Sequence, residues 1–291
     1  MTWRIERGDC LDLLPAIPGE SVDALITDPP YPGIRRPYGR LTDGAWHELM
    51  DEVVAQARRV LKPAGSAVFI LQPNSEKVGK MRLWAWEFLL RTARRWNLVQ
   101  DCYWWNHAAM PTVHCRRANG LLRPSVKLCL WFGRPDCYRD QDAVLWTPSG
   151  RVLAGRLEDR CLRRQPSGQS VRTGRTKAVV LERGGSTPLN LIPVANTDSV
   201  SSSARHGHPA GTPLRLCDWW VRYVCPPSGL VLDPFCGAGT IGVAAVQNGR
   251  SFVGFEKEGK YVEAARKRLE QASGKSVPQP LNSEWRPSRC T

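Results

Sequence analysis

Two short apolar runs end on an aspartate beside proline, and these paired strand ends constrain the fold more than any other feature of the chain. Val22-Asp23-Ala24-Leu25-Ile26-Thr27 leads straight into Asp28-Pro29-Pro30-Tyr31. Leu230-Val231-Leu232-Asp233 leads into Pro234-Phe235-Cys236-Gly237-Ala238-Gly239-Thr240. Proline has no N–H to give to a ladder, so each strand stops there. Further runs suited to strands are 3–6, 66–72, 98–105, 126–132 and 251–256. Helical periodicity covers 11–18, 45–61, 77–96, 212–225, 239–248 and 258–273. The second of these helices meets a stop signal at Lys62-Pro63-Ala64-Gly65. The third carries Val78, Met81, Leu83, Trp84, Phe88 and Leu89 mostly on one side. Strands alternating with helices predict an α/β fold with a doubly wound, mostly parallel sheet. Such sheets bind ligands at the carboxyl ends of their strands. Asp28 and Asp233 both stand at such ends, which puts two chemical loops along one edge.

A chain of 291 residues with 42% hydrophobic content can bury one large core, or one core plus an insertion. Its 41 Lys and Arg against 27 Asp and Glu leave a formal charge of +14, which points to a polyanionic partner such as nucleic acid. A basic surface kept for solubility is the plainer alternative. The ten cysteines are scattered without a Cys-x-x-Cys pair, so they form no disulfide framework. Cys102, His107, His114 and Cys115 match no common zinc spacing, and ordinary buried thiols with no metal are expected. The start, MTWRIERGD, has no apolar signal core, and no long apolar span follows. The expectation is a cytoplasmic protein that does not enter membranes.

Gly237 to Gly242 match the pattern GxGxxG, and Glu256 closes the next strand. Glycines there let backbone approach a ligand and turn tightly into a helix. Read alone, the string is a dinucleotide fingerprint, and an NAD-dependent oxidoreductase is a rival. A bare strand-to-helix turn is the other reading. A carboxylate at position 256 suits the ribose hydroxyls of any adenosine-containing cofactor. The loop at Asp28 tips the balance, because a dehydrogenase has no evident use for it.

Asp-Pro-Pro-Tyr by itself reads as a turn. At a strand end, beside a second such loop, it suits the exocyclic amino group of a base flipped out of its stack. Tyr31 can replace lost base stacking, a contribution of about 1–3 kcal/mol per base. The amino nitrogen is a poor nucleophile because its lone pair is delocalised into the ring. The Asp28 carboxylate and the Pro29 carbonyl can accept its hydrogens and favour the tetrahedral geometry that attack requires. The prolines stiffen the loop in advance. The chemistry would be direct displacement at a sulfonium methyl, with positioning as the main device. A covalent C5-cytosine route needs a nucleophilic cysteine, typically in a Pro-Cys pair, and the sequence has no such pair.

With both motifs in this order, the chain resembles the N4/N6 amino-methyltransferases of DNA, specifically their circularly permuted beta group. The resemblance covers about residues 3–134 and 206–271. It implies a Rossmann-like sheet, S-adenosyl-L-methionine as methyl donor, and double-stranded DNA as substrate. It implies catalytic roles for Asp28, Pro29, Pro30 and Tyr31. It implies cofactor contacts from Asp9 and Cys10, in a motif whose acid meets the cofactor adenine. Thr212 belongs to the stretch from His208-Pro209 to Thr212-Pro213 that resembles the lining of the methionine pocket. Asp233, Phe235, Cys236, Gly237, Gly239 and Thr240 match the cofactor loop, and Glu256 the ribose acid. Val60 to Gly65 resembles the family's helix-to-strand turn. DPPY is commoner with adenine in this family and SPPY with cytosine, which implies N6 of adenine. Yet the residues from Tyr31 to Gly39, and Met110-Pro111 with the arginines after it, resemble SPPY members and imply N4 of cytosine as the alternative.

The halves of the catalytic domain are expected at 1–133 and 206–273, with a flexible tail at 274–291. Between them, residues 134–205 are rich in Arg, Gly, Ser and Pro, and are expected to be the target-recognition insertion. From Arg160 to Arg183 there are seven Lys or Arg and one acid, Glu182. Arg163, Arg164, Arg172 and Arg175 are candidates for phosphate and guanine-edge contacts. A solvated disordered insertion is the competing reading. Arg35 and Arg36 flank the catalytic loop and could grip the strand. Trp84 and Trp86 do not share one core face easily, which suggests a homodimer. A cognate restriction endonuclease is a further expected partner.

Overall fold

The structure, a computed structural model, describes residues 2–34, 39–112, 115–148, 161–164, 168, 170–173, 176–196 and 211–273. It has two compact units, one running to Arg139 and resuming at Asn190, the other spanning Asp140–Leu189. The larger unit opens with β1 (Trp3–Arg7), α1 (Cys10–Leu13), β2 (Val22–Thr27), α2 (Asp43–Val60) and β3 (Leu61–Leu71). A small hairpin of β4 (Ser75–Lys77) and β5 (Lys80–Met81) precedes α3 (Trp84–Ala93), β6 (Leu98–Trp105) and β7 (Val126–Gly133). The smaller unit holds the antiparallel pair β8 (Cys161–Arg164) and β9 (Ser170–Thr173), followed by α4 (Thr176–Arg183). The larger unit then resumes with β10 (Leu191–Pro193), α5 (Leu214–Val224), β11 (Leu230–Asp233), α6 (Thr240–Gln247), β12 (Ser251–Glu256) and α7 (Gly259–Ser273).

Eight strands form one sheet in the order β1-β12-β11-β2-β3-β7-β6-β10. All neighbours are parallel except at β7, which is antiparallel to both β3 and β6. The sheet is therefore mostly parallel, as the alternating elements predict. Side chains alternate across it. Ala67, Phe69 and Leu71 of β3, with Leu130 and Phe132 of β7, join one buried cluster with Trp46, Met50 and Val53 of α2 and Trp84 and Phe88 of α3. Trp131 of β7 faces the other way, its ring 6.4 Å from Trp220 and 5.3 Å from Tyr223 of α5. Helices thus cover both faces, and the sheet is doubly wound.

Two predicted elements differ. The helix expected over 77–96 begins only at Trp84. Gly79, at φ +77°, turns the β4–β5 hairpin, and Val78, Met81 and Leu83 are exposed instead of lining the core. The strand expected over 66–72 begins earlier, at Leu61, directly after α2 ends at Val60, and Lys62 to Gly65 form an irregularity at its head, between the pairings Val22 with Leu61 and Ala24 with Ser66. A side chain at Gly65 would press the Asp23 and Val22 carbonyls at 3.0 Å, so this close approach favours glycine. Among the described residues, no helix is long and apolar enough to cross a membrane. The tail 274–291 lies outside the described residues.

Candidate active site

Because β1, β2, β11 and β12 run parallel, their carboxyl ends share one edge of the sheet. Four acidic residues gather there: Asp9 after β1, Asp28 after β2, Asp233 closing β11 and Glu256 closing β12.

Asp28 receives two hydroxyl groups. Tyr31 Oη donates to Oδ1, and Thr212 Oγ1 donates to Oδ2 at 2.6 Å. Burial, followed by the charge of Asp28, pushes the Tyr31 hydroxyl well above its usual range and keeps it a neutral donor. The Tyr31 ring stacks on Trp84, with centroids 5.7 Å apart and planes 29° apart. Side chains hold the rest of the loop. Trp46 Nε1 donates to the Pro30 carbonyl at 2.6 Å, and Asn74 Nδ2 donates to the Pro32 carbonyl at 2.8 Å. Asn74 in turn accepts from Trp84 Nε1 at 3.0 Å. Pro29 is buried, and its carbonyl has no protein donor among the described residues.

The glycine loop is tied to this one. Thr27 Oγ1, one residue before Asp28, donates to Asp233 Oδ1 at 2.7 Å. The Phe235 amide donates to the same oxygen at 3.1 Å. Asp233 is 2% exposed, and burial pushes its carboxyl up to about 7 against these two donors, with the charges of Asp28 and Glu256 adding to the rise. Gly237 and Gly239 turn the backbone at φ +51° and +74°. A side chain at Gly239 would lie 2.9 Å from Ala265 Cβ and 3.0 Å from Leu269 Cδ1. That glycine lets α7 pack against the loop. Arg268 of α7, buried beneath the same turn, donates to the Ala238 carbonyl at 2.5 Å and to Thr240 Oγ1 at 3.1 Å.

Glu256 spans the other side. Its Oε2 accepts the Gly237 amide at 2.9 Å and its Oε1 the Glu258 amide at 2.8 Å. Burial raises its carboxyl, opposed by these amides. The Gly8 amide donates to the Glu256 carbonyl at 3.0 Å, which brings Asp9 alongside. Asp9 caps α1 through the Leu11 amide and pairs with Lys257 Nζ at 2.7 Å. Burial alone would raise the Asp9 carboxyl, but Lys257 and the amide hold it below the usual range. Burial pushes the Cys10 thiol up to about 12 and raises those of Cys217 and Cys236 as well. These thiols stay protonated and offer no thiolate nucleophile.

The structure thus gathers Asp9, Cys10, Asp28 to Tyr31, Thr212, Asp233 to Gly237, Gly239, Thr240 and Glu256 along one edge. Thr27, Trp46, Asn74, Trp84 and Arg268 support them and were not expected from the sequence. Arg35, Arg36, Arg175, His208 and Pro209 lie outside the described residues. Arg163 and Arg164 stand on β8 and Arg172 on β9, and only these backbone positions are described. Arg183 is engaged within the smaller unit, with Asp142 at 2.8 Å and Gln141 at 2.8 Å. Of the cysteine and histidine cluster, Cys102 is buried in β6 opposite Cys129 of β7, and His114 is outside the described residues. Among the described residues, no group of three or more His, Cys, Asp or Glu could hold a metal ion.

Residues 22–267 match the N6/N4 family model described as DNA methylase. The chain is 28% identical over 280 residues to the type II methyltransferase M.PvuII of Proteus hauseri, covering 89% of this chain and 81% of that one. It is 25% identical over 281 residues to the DNA adenine methyltransferase YhdJ of Escherichia coli (strain K12), covering 92% and 83%. Among solved structures, PvuII DNA methyltransferase (cytosine-N4-specific) superposes with a TM-score of 0.69 at 23% identity, covering 98% of this chain and 96% of that one. A putative DNA modification methylase from Thermus thermophilus, complexed with S-adenosyl-L-methionine, superposes at 0.58 with 19% identity, covering 96% and 99%. The two superpositions show a shared fold, and the match across 22–267 shows the family: the chain belongs to the N6/N4 DNA methylases.

Proposed function

We propose that the chain transfers a methyl group from S-adenosyl-L-methionine to the exocyclic amino group of a base flipped out of double-stranded DNA. The observation that carries this reading is the clasp between the loops: Thr27, which precedes Asp28, is bonded at 2.7 Å to Asp233, which begins the glycine loop. A donor molecule held by the second loop would meet a base held by the first.

Asp28 and the Pro29 carbonyl accept the amino hydrogens, and Tyr31 stacks on the base while it orients Asp28. Pro30, anchored by Trp46, keeps the loop from yielding. The residues at the other loop fit an adenosine bearing a sulfonium. Glu256 keeps spare lone pairs beyond its two amides, Asp9 stands beside it, and Gly237 opens the backbone at φ +51°. Asp9, Cys10, Thr212, Phe235, Gly237 and Glu256 form the cofactor contacts, while Asp233, Cys236, Gly239 and Thr240 shape the turn. The cofactor when bound supplies an electrophilic methyl group, and the protein supplies alignment of the amino nitrogen with it.

The target is N6 of adenine, on the strength of the aspartate that heads the loop and the likeness to an adenine methyltransferase. N4 of cytosine is the second reading, favoured by the superposition on a cytosine-N4-specific enzyme over nearly the whole chain. The motif order fits the permuted beta group. Residues 1–133 and 206–273 form the catalytic domain, and 134–205 read the target sequence through Arg163, Arg164, Arg172 and Arg175, with Arg35 and Arg36 near the flipped nucleotide. The enzyme acts in the cytoplasm, where the DNA is. Leu83, Trp86 and Leu90, exposed on one side of α3, suit a homodimer, and the type II relatives suit a partner endonuclease. Incubation with genomic DNA and labelled S-adenosylmethionine, followed by nucleoside identification, tests the reaction and decides the base. Labelled 6-methyladenine or 4-methylcytosine is expected, and the absence of both would refute the proposal.

A further inference from the structure

We propose that the described residues of the β6–β7 connection, 106–112 and 115–125, enter the duplex where the target base leaves it. Leu122 and Met110 serve as its apolar wedge, and Arg116, Arg117 and Arg123 hold the phosphates beside it. The inference rests on the methyl-transfer reading above and names the protein surface that opens the duplex.

Topology places this loop on the catalytic edge. β3 is parallel to β2, β7 is antiparallel to β3, and β6 is antiparallel to β7, so β6 ends on the same side as β2. The neck of the loop is closed by the Asn106 amide donating to the Ser125 carbonyl at 2.7 Å. Two residues beyond it, Lys127 Nζ lies 4.3 Å from the Trp104 ring centroid and 6.0 Å from that of Tyr31. The loop therefore rises beside the catalytic tyrosine.

Its exposed residues are unusual for a solvated loop. Leu122 is 91% exposed and Met110 79% exposed. Arg123 Nη1 reaches the Ala109 carbonyl at 3.4 Å, so the two arms are bridged one residue from Met110 and one from Leu122. From Asn106 to Ser125 the sequence holds three arginines and no acidic residue. Exposed apolar side chains framed by arginines, at the edge where a base must be extracted, fit a DNA duplex. Proteins that unstack base steps insert Leu, Met, Ile, Phe or Pro in this way, and the arginines pair with phosphate. Val113 and His114 lie outside the described residues and take no part in the argument.

The test uses the full chain and a duplex that carries the site mapped from methylated genomic DNA. The target base is either paired or placed opposite an abasic position, where it needs no extraction. Leu122→Ala is expected to lower kcat/KM on the paired duplex about tenfold, and Leu122→Ala with Met110→Ala further, while the abasic duplex is methylated within about twofold of wild type. The thermal melt should not move, because both side chains face solvent. An equal loss on both duplexes, or no loss on either, would overturn the wedge. So would a change of oligomeric state with paired-duplex activity intact, which would make the loop a protein interface. If wild type methylates neither duplex, the methyl-transfer reading itself fails.

Discussion

Thr27 Oγ1 donates to Asp233 Oδ1 at 2.7 Å, joining the ends of two strands that lie 206 residues apart. The Asp233 carboxyl is raised from 3.8 to about 7, chiefly by burial. Between those values the folded protein keeps a proton that the unfolded chain has lost. The contribution of this group to stability is present at low pH and is lost as pH rises through that window. Asp233→Asn keeps an acceptor for Thr27 and Phe235 without a titratable proton. The variant should therefore gain on wild type as pH rises, with similar melting temperatures at about pH 4 and below, and a lead that grows until about pH 7 and then levels off. Melts across that range check this, and a pH-independent difference would remove Asp233 from the account.

The large features of this edge were legible because they are local. A strand that runs into Asp-Pro-Pro-Tyr, and another that runs into a glycine turn, each carry their signal within about ten residues. The clasp between Thr27 and Asp233 carries none, since only the sheet order makes the two residues neighbours. Arg268 was within reach. It stands on the stripe Tyr261, Ala265, Leu269 and Ala272, where helical spacing puts a residue inside whatever its type. The helix expected over 77–96 is shortened to Trp84–Ala93 because Gly79, at φ +77°, turns the chain before it, and apolar spacing carries no sign of that turn. Gly239 makes the tight turn into a helix that the glycine pattern predicts, while the packing of Ala265 and Leu269 against it has no local signal.

Thr212 holds one oxygen of Asp28 at 2.6 Å while Tyr31 holds the other. Thr212→Val keeps the shape and removes the donor, so the carboxylate is free to rotate away from the amino group. The expected result is a loss of about tenfold in kcat with DNA KM little changed, because the lost contact aligns groups and does not bind DNA. Asp28→Asn should cost about a hundredfold or more, since a charged acceptor is replaced by a neutral one. Single-turnover rates on a saturating duplex decide this. A Thr212→Val loss confined to KM would count against the positioning role.

The glycine turn predicts a stability effect that can be partly repaired. Gly239→Ala places a methyl group 2.9 Å from Ala265 Cβ at φ +74°. Left-handed strain and the clash together should cost about 1–4 kcal/mol. Ala265→Gly in the same chain should restore the part due to the clash and leave the part due to φ. Arg268→Met should cost about 1–3 kcal/mol by leaving the Ala238 carbonyl and Thr240 hydroxyl without their donor. Denaturant titrations of the singles and the double measure these terms. If Ala265→Gly gave no recovery, packing of α7 would not be the reason for glycine at 239.

The proposed contacts of the smaller unit are best tested by salt dependence, because phosphate contacts and base contacts leave different marks. Arg163 and Arg164 are neighbours on β8, which pairs antiparallel with β9, the strand that carries Arg172. If both arginines of β8 meet phosphate, Arg163→Gln with Arg164→Gln removes two released counterions. The slope of log K against log salt should then flatten by about 1.8, and binding should weaken alike on specific and unrelated duplexes. If one of them reads a guanine edge instead, the slope should flatten by about 0.9, and the variant should lose discrimination at one position of the site. An unchanged slope with unchanged discrimination would take these arginines out of the DNA interface. Arg183, held by Asp142 and Gln141, serves as the internal control, since Arg183→Gln should disturb the unit's melting and leave the slope alone.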